Sequence, residues 1–433
     1  MRNCRLLPIA VCCAALLFPA GCSAAPGDAA PPATPSPATP APAVRLDLHG
    51  QAGVTMEGIR AAIPPQGVAS LDLRGCDLDI AAHAEELLAL GAGELLFEAP
   101  VGGAVLTHES TALALRGDVP DVGALVPLLR LAPALQALDV RGCELSAGDL
   151  AALQQALPQV ELDFSLELCG QTVGPDTAVL NYNGMPIDRL DPFYEVLPLL
   201  PDLASLELCG CGASNEELAA LRDAFPGANV VWSITANRWT VRTDATAFAT
   251  WRVTRRDEAG RIVEAYNVYN NTSEGLDWLR YCRDLRALDL GHNLLTDCTF
   301  LQGLSKLEYL ILADNHISDL SPLSSLTELR YLELFGNPVT DLTPLQSLTN
   351  LVDLNLCGCR VSDLRPLYGL PLERLWLTGY GMEDPEAEIL DFLEQNPDCL
   401  VHLATPPEYT GEGWRTHEHY FAMRSALGWA TGP

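Results

Sequence analysis

Residues 307–371 read LEYLILADNHISDLSPLSSLTE, LRYLELFGNPVTDLTPLQSLTN and LVDLNLCGCRVSDLRPLYGLP, which are copies of one motif repeated every 22 residues. The first leucine of each copy recurs in step, at Leu307, Leu329 and Leu351. Such a period indicates one supersecondary unit stacked on copies of itself, because a single unit cannot bury its apolar face alone. The sequence therefore predicts a solenoid, and its function is expected to lie on the surface that the solenoid builds.

The copies follow the pattern LxxLxLxxN, in which the last position is Asn or Cys in four copies and Tyr380 in the last, weaker one. Copies begin at Leu285, Leu307, Leu329, Leu351 and Leu372. This pattern resembles the leucine-rich repeat, and the short return path with Pro322 or Pro344 is similar to the internalin type found in bacteria. The resemblance implies an α/β fold with a curved parallel sheet on the concave face and helices or short 3-10 turns on the convex face. The Asn or Cys is expected to turn inward and bond free backbone groups.

The N-terminal half repeats on a longer period of ~67 residues. Landmarks that recur 67 or 68 residues apart are Cys76, Cys143 and Cys211; Phe97, Phe164 and Trp232; and Leu113, Leu180 and Phe248. Each long unit opens with a strand and continues with a helix, which two copies mark with a capping box at Ser146 and Ser214. A strand, a hairpin and a second repeat strand are then expected. This half resembles the helix-backed repeats of the ribonuclease-inhibitor kind.

The first residues have the pattern of a targeting segment. Arg2 and Arg5 precede an apolar run that ends in Pro19-Ala20-Gly21-Cys22. Small residues before a cysteine resemble the lipobox of bacterial lipoproteins, which implies that Cys22 carries the lipid. The predicted location is therefore extracytoplasmic and lipid-anchored, with plain secretion as the alternative. The Pro- and Ala-rich stretch that follows cannot pack a core and is expected to act as a tether.

The predicted organisation has five parts. They are a signal peptide at 1–21, a tether at 22–44, N-terminal leucine-rich repeats at 45–284, internalin-like repeats at 285–382 and a C-terminal cap at 383–433.

Composition limits the choice of partner. The formal net charge is -30 and the one lysine is Lys306, so the chain repels phosphate backbones and anionic lipid headgroups. We therefore expect no nucleic-acid partner, and we expect contact with the membrane only through the lipid anchor. The cysteines that occupy repeat positions are expected to be structural thiols.

Two sets of residues carry side chains of the kinds that bind metal ions, but no metal or other cofactor is expected. The column Asp297, Asp319, Asp341 and Asp363 could bind calcium, but each carboxylate is expected to cap backbone N–H groups of its own turn. His417 and His419 form a His-x-His pair that no Cys or Asp cluster joins in the sequence. Signatures of catalysis such as GxSxG, HExxH and GxxxxGK are missing, so a non-enzymatic protein is predicted.

Side chains between the core leucines project from the concave face, since side chains alternate along a strand. In the C-terminal repeats this places apolar and aromatic groups beside charged ones. We call this set the concave patch: Tyr309, Ile311, Tyr331, Glu333, Phe335, Asp353, Arg374 and Trp376. Exposed aromatic groups on a rigid sheet predict a binding surface, although stacking between neighbouring strands would also explain the rings.

The concave columns of the N-terminal half are polar, and their acidic and arginine side chains are expected to pair with one another. Two functions fit the sequence. The first is a protein-binding module at the cell surface, which the internalin resemblance favours. The alternative is a glycan or cell-wall binder, because aromatic rings beside carboxylates also suit sugars.

Overall fold

A computed structural model describes residues 44–65, 67–250, 253–256, 262–266, 270–404 and 413–429, with backbone alone at 253–256 and 262–266. The predicted signal peptide, Cys22 and all but the last residue of the predicted tether lie outside these ranges. No helix among the described residues is long and apolar enough to cross a membrane.

The N-terminal half contains three parallel sheets of three strands, each followed by an antiparallel hairpin. The first set has strands β1 (Val44–Asp47), β2 (Val68–Asp72) and β3 (Glu94–Leu96) with hairpin β4 (Glu98–Val101) and β5 (Ala104–Thr107). The second has β6 (Ala112–Ala114), β7 (Ala137–Asp139) and β8 (Glu161–Asp163) with hairpin β9 (Leu166–Leu168) and β10 (Gln171–Val173). The third has β11 (Val179–Asn181), β12 (Ser205–Glu207) and β13 (Asn229–Val231) with hairpin β14 (Ser233–Ala236) and β15 (Trp239–Arg242). The expected succession of strand, helix, strand and hairpin is confirmed.

Six helices back these sheets. They are α1 (Met56–Ala62), α2 (Ala84–Ala89), α3 (Val122–Arg130), α4 (Ala147–Ala156), α5 (Asp191–Val196) and α6 (Asn215–Ala224). Both predicted capping boxes are present, with Ser146 and Ser214 bonded to the third residue of α4 and α6. The predicted helical faces are buried in both helices through leucines such as Leu150 and Leu218, so hydrophobic burial fixes which side of each helix meets the sheet.

The C-terminal half contains one continuous parallel sheet of seven strands. Its members are β16 (Ala247–Ala249), β19 (Ala287–Asp289), β20 (Tyr309–Ile311), β21 (Tyr331–Glu333), β22 (Asp353–Leu356), β23 (Arg374–Leu377) and β24 (Leu400–Leu403). A hairpin of β17 (Val253–Arg256) and β18 (Ile262–Tyr266) and the helix α7 (Ser273–Leu276) stand between β16 and β19. The 22-residue period sets the register, because Tyr309 lies opposite Tyr331 and Leu310 opposite Leu332.

Short 3-10 turns close the coils on the convex side, as the proline-containing return paths predict. They span Ser321–Ser325, Thr343–Ser347 and Arg365–Leu367. The aspartate before each turn accepts a hydrogen bond from a backbone N–H two residues later, at 2.8 Å for Asp319 and 2.8 Å for Asp341. The capping role expected for this column is therefore confirmed, since the carboxylates are engaged with their own turns.

The inward-facing slot also has its predicted role. Asn337 donates from Nδ2 to the carbonyl oxygens of Leu312 and Leu334, both at 2.9 Å. Cys359 in the same slot donates one longer bond from Sγ to the Leu334 carbonyl at 3.4 Å. The ten described cysteines are free thiols, and burial raises the pKa of Cys359 to about 12. Such a thiol is inert and structural, as predicted.

The residues after 383 divide into two parts. Helix α8 (Pro385–Gln395) and strand β24 continue the solenoid at its end, with Phe392 fully buried. Residues 413–429, which contain helix α9 (Glu418–Ala426), lie against the side chains of the concave patch. Their buried side chains join those of the concave patch in a hydrophobic cluster of their own. We call residues 413–429 the closing segment.

Candidate binding surface on the concave sheet

All eight residues of the concave patch lie on one face of the C-terminal sheet. Register places Tyr309, Tyr331, Asp353 and Arg374 opposite one another on successive strands, and the same holds for Ile311, Glu333, Asn355 and Trp376. Because successive side chains of a strand point to opposite faces, the alternating leucines belong to the main core and the patch to the separate concave cluster. The sequence prediction that these residues form one surface is confirmed.

The expectation that this surface is exposed is wrong. Tyr331 is 1% exposed, Trp376 5%, Phe335 7% and Ile311 7%, while Tyr309 alone among the aromatic groups of the patch is half-buried. The physical reason is that the closing segment covers the sheet. Its apolar side chains pack on the rings of the patch and remove them from water.

Trp414 is the centre of this contact. Its side chain is fully buried, and its ring centroid lies 5.3 Å from that of Tyr331 and 5.8 Å from that of Trp376. Met423, on the inner side of α9, is also fully buried. A tryptophan packed against two further aromatic rings buries a large apolar area, so Trp414 is the main anchor of the closing segment.

A buried carboxylate lies beneath the anchor. Glu333 accepts a hydrogen bond from the Trp414 indole nitrogen at 2.7 Å and a second one from the Tyr331 hydroxyl. Burial raises the pKa of the Glu333 carboxyl above its ordinary value, against the effect of these two donors. Burial likewise raises the pKa of Tyr331. The indole donor therefore gives the contact polar specificity in addition to apolar area.

Arg374 connects the sheet to the backbone of the closing segment. Its Nη1 donates to the carbonyl oxygens of Gly413 at 3.1 Å and Trp414 at 3.3 Å, and its guanidinium carbon lies 4.5 Å from the Trp414 ring centroid. Its Nε pairs with Oδ1 of Asp353, and both side chains are almost fully buried, at 4% and 0% exposure. A buried ion pair of this kind depends on both partners, because either charge alone would be left without water.

The structure also brings the His-x-His pair to Asp353. The Nδ1 atom of His419 lies 2.6 Å from Oδ2 of Asp353, and the rings of His417 and His419 are 4.6 Å apart. Among the described residues, this trio is the one group of three side chains placed as metal ligands, with ligand atoms all within 4.8 Å. The sequence predicts that no Cys or Asp cluster joins the two histidines, but the fold brings Asp353 to them from some sixty residues earlier in the chain.

Contact between the closing segment and the sheet is incomplete near β19 and β20. A pocket of about 220 Å³ remains there. Its lining includes Asp289, His292, Phe335, Tyr420 and Trp429. The closing segment therefore leaves part of the sheet uncovered at this end.

The N-terminal concave face differs in chemistry. Arg141 reaches Asp139 at 2.9 Å and Asp163 at 3.0 Å, and Arg116 reaches Asp139 at 2.6 Å. Hydrogen bonds from Arg141 and Arg116 hold the pKa of Asp139 far below its usual range. The predicted internal pairing of acids and arginines is confirmed. An open groove of about 820 Å³ runs over this face beside hairpin β9–β10.

Sequence reasoning missed Trp414, Met423 and His419 as partners of the patch. A signal was present, since Tyr420, Met423 and Leu427 recur at helical spacing and give α9 an apolar side. A helix with one apolar side requires a matching surface, and the patch was the unmatched surface available.

Comparison with protein families matches the C-terminal repeats. Two copies of the family model described as leucine-rich repeats cover residues 305–347 and 327–369. No curated protein matches the sequence.

Solved structures with similarity to the chain include two internalins from Listeria monocytogenes and a leucine-rich repeat protein from Leptospira interrogans. The internalin C2 structure is 17% identical, covers 70% of this chain and 93% of its own, and has a TM-score of 0.23. The Leptospira protein is 16% identical, covers 84% of this chain and 96% of its own, and has a TM-score of 0.26. TM-scores this low do not establish a shared shape, so the fold rests on the family match and the observed parallel sheet. By these two observations, the fold of this chain is a leucine-rich repeat solenoid.

Proposed function

We propose that this chain is an exported, lipid-anchored protein that binds another protein through the concave patch, and that the closing segment occupies this surface until the partner displaces it. The observation that carries the proposal is the burial of Trp414 against the patch. Leucine-rich repeats serve as binding surfaces, and the family match is to a repeat and not to an enzyme. A binding role is the function that this repeat supports best.

The closing segment indicates the kind of partner that suits the surface. It presents a helix with one apolar side, a tryptophan between the rings of Tyr331 and Trp376, and an indole donor for Glu333. A helix laid into an apolar groove is a recurring mode of protein recognition. Buried Trp and Arg side chains are also the residue types that dominate interface energies. We therefore expect a partner that offers an amphipathic helix with an aromatic anchor.

Displacement is feasible because the segment is short and its packing is incomplete. The pocket of about 220 Å³ beside Phe335 and Trp429 leaves part of the sheet uncovered, and Tyr309 at the edge of the patch is half-buried. A partner needs only to offer better contacts than the segment does, since binding shifts a population in proportion to the difference in affinity.

The test uses the full mature chain as bait for surface proteins and for a glycan array. Trp414→Ala removes the anchor of the closing segment and leaves the patch intact, so we expect capture of a protein partner to rise roughly tenfold or more. Adding Tyr331→Ala and Trp376→Ala to Trp414→Ala is expected to abolish this gain. Tyr380→Ala is the matched control, because Tyr380 is 45% exposed and lies outside the patch.

If Trp414→Ala and the triple variant capture the same amount as wild type, the concave patch is not the binding surface. If the gain appears on glycans and not on proteins, the alternative of glycan or cell-wall binding replaces the protein partner. Circular dichroism of each variant identifies any loss of fold.

The anchor is tested separately. Cys22→Ser is expected to prevent incorporation of labelled fatty acid and to release the protein from the membrane fraction. Unchanged labelling in Cys22→Ser would overturn the lipid assignment, and absence of labelling in the wild type would favour secretion.

A further inference from the structure

We infer that Asp353, His417 and His419 form a site for a divalent transition-metal ion such as zinc, which fastens the closing segment to the sheet. The inference does not depend on the proposed partner, because it concerns a contact within the chain.

The three side chains converge from two separate parts of the fold. Asp353 is fully buried on β22, while His417 and His419 flank the first residue of α9 and are half-buried. Their ligand atoms lie within 4.8 Å of one another. Zinc binds imidazole nitrogen and carboxylate oxygen at about 2.0–2.2 Å, so one ion between these atoms requires only small side-chain movements. In the present arrangement, Nδ1 of His419 and Oδ2 of Asp353 share a hydrogen bond of 2.6 Å.

Neighbouring groups orient each ligand. Arg374 holds Oδ1 of Asp353 through its Nε, which leaves Oδ2 directed at the histidines. The carboxylate of Glu373 lies 3.6 Å from Nε2 of His419, on the far side of the ring from Asp353. Metal-binding histidines typically have a carboxylate behind the ring, and ligating carboxylates are themselves hydrogen-bonded.

The ring of His417 is also positioned by a hydrogen bond. Its Nδ1 accepts from the backbone N–H of His419 at 3.3 Å, as the side-chain cap of α9. A neutral imidazole has a single free lone pair, so a metal ion bound to His417 takes the place of this cap bond.

Charge favours a dication at this site. With neutral imidazoles, the carboxylates of Asp353 and Glu373 outnumber the guanidinium of Arg374 by one negative charge, and the whole chain carries a formal net charge of -30. Two imidazoles and one buried carboxylate suit zinc, cobalt or nickel, since calcium and magnesium require more oxygen ligands. The half-buried histidines leave room for water as the fourth ligand.

The arrangement couples metal binding to the closing segment. Two ligands belong to the segment and the third to the sheet, so the complete set exists only in the docked state. A ligand that binds one state stabilises that state. At a metal concentration about one hundred times Kd, the ratio of docked to undocked segment is expected to rise about a hundredfold.

The experiment titrates the untagged full chain with Co²⁺ and records the visible d–d absorption. Hydrogen exchange of residues 413–429 is then measured with and without Zn²⁺. We expect one Co²⁺ per chain, displacement of Co²⁺ by Zn²⁺, and slower exchange of the segment when Zn²⁺ is bound. Ca²⁺ at the same concentration is expected to change neither reading.

His417→Asn is the decisive variant, because asparagine keeps a capping acceptor at the helix start and removes the imidazole. We expect it to lose the Co²⁺ spectrum and the Zn²⁺ effect on exchange, and to keep the metal-free exchange rate of the wild type. His419→Gln is a second variant with the same expected loss of metal binding. His49→Asn is the matched control, since the side chain of His49 is 62% exposed and His49 lies just after β1, far in sequence from Asp353, His417 and His419.

The proposal is overturned if wild type shows no Co²⁺ spectrum at millimolar metal, or if His417→Asn keeps it. It is also overturned if Co²⁺ binds at this site and Zn²⁺ leaves the exchange of residues 413–429 unchanged.

Discussion

The two halves of the solenoid share a leucine core, but their concave faces differ in chemistry. In the N-terminal half, hairpins divide the sheet into groups of three strands, and acids and arginines pair in the open, as Asp139 does with Arg141. In the C-terminal half, the sheet is continuous and its concave face carries aromatic rings. The closing segment covers these rings and removes them from water. The internal repeat therefore determines the scaffold, while the residues between the leucines determine whether a concave face is exposed to water.

The ion pairs of the two faces provide the sharpest contrast. Arg374→Ala leaves Asp353 buried without its partner and removes two bonds to the closing segment, so we expect the free energy of unfolding to fall by about 3–5 kcal/mol. Arg141→Ala removes an arginine whose side chain is 55% exposed, and little change is expected because water replaces it. Urea unfolding monitored by circular dichroism measures both. Equal losses in the two variants would contradict the distinction between covered and open faces.

The inward slot holds Asn in three C-terminal repeats and Cys in the N-terminal units, and the two side chains differ in hydrogen-bonding capacity. Asn337→Ala removes two donated bonds at 2.9 Å and the acceptor for the backbone N–H of Ile317 at 3.0 Å. We expect it to lower the free energy of unfolding by about 2–4 kcal/mol, because the buried groups it served stay without partners. Cys211→Ala in the same slot of the N-terminal half removes one buried sulfur, with an expected loss of about 1 kcal/mol. Thermal unfolding of both variants tests the order, and a larger loss in Cys211→Ala would reverse it.

The smallest expected effect concerns pH. Burial raises the pKa of Glu333 above its ordinary 4.5, while Tyr331, Trp414, Arg415 and Arg374 lower it in part. The docked state therefore binds a proton more tightly than the open state. Its stability is fully present below pH 4.5 and falls as pH rises through the docked pKa.

Glu333→Gln keeps an acceptor for Trp414 and has no charge to bury, so this part of the pH dependence is expected to disappear. Hydrogen exchange of residues 413–429 is measured in the wild type and the variant from below pH 4.5 to above the docked pKa of Glu333. The rates are corrected for the intrinsic exchange rate at each pH. Parallel profiles would show that Glu333 does not influence docking.

Much of the fold follows from local patterns in the sequence. Periodicity predicts the coils, and the capping boxes at Ser146 and Ser214 predict helix starts. The 22-residue period also predicts the columns of the patch, because it places Tyr309 opposite Tyr331. The cover on the patch could not be predicted in this way, because Glu333 and Trp414 are 81 residues apart and no repeat relates them. Helical spacing identifies the apolar side of α9, but only the fold determines which surface it meets.

Side-chain oxidation by hydroxyl radicals in the full chain tests the covered concave face most directly. We expect Tyr331, Phe335 and Trp376 to react slowly in the wild type, while Tyr380 and Tyr194, which are 45% and 41% exposed, react fast. In Trp414→Ala the three patch residues are expected to become reactive and the two controls to stay unchanged. Fast oxidation of Tyr331 and Trp376 in the wild type, equal to that in Trp414→Ala, would show that the closing segment does not cover the concave patch.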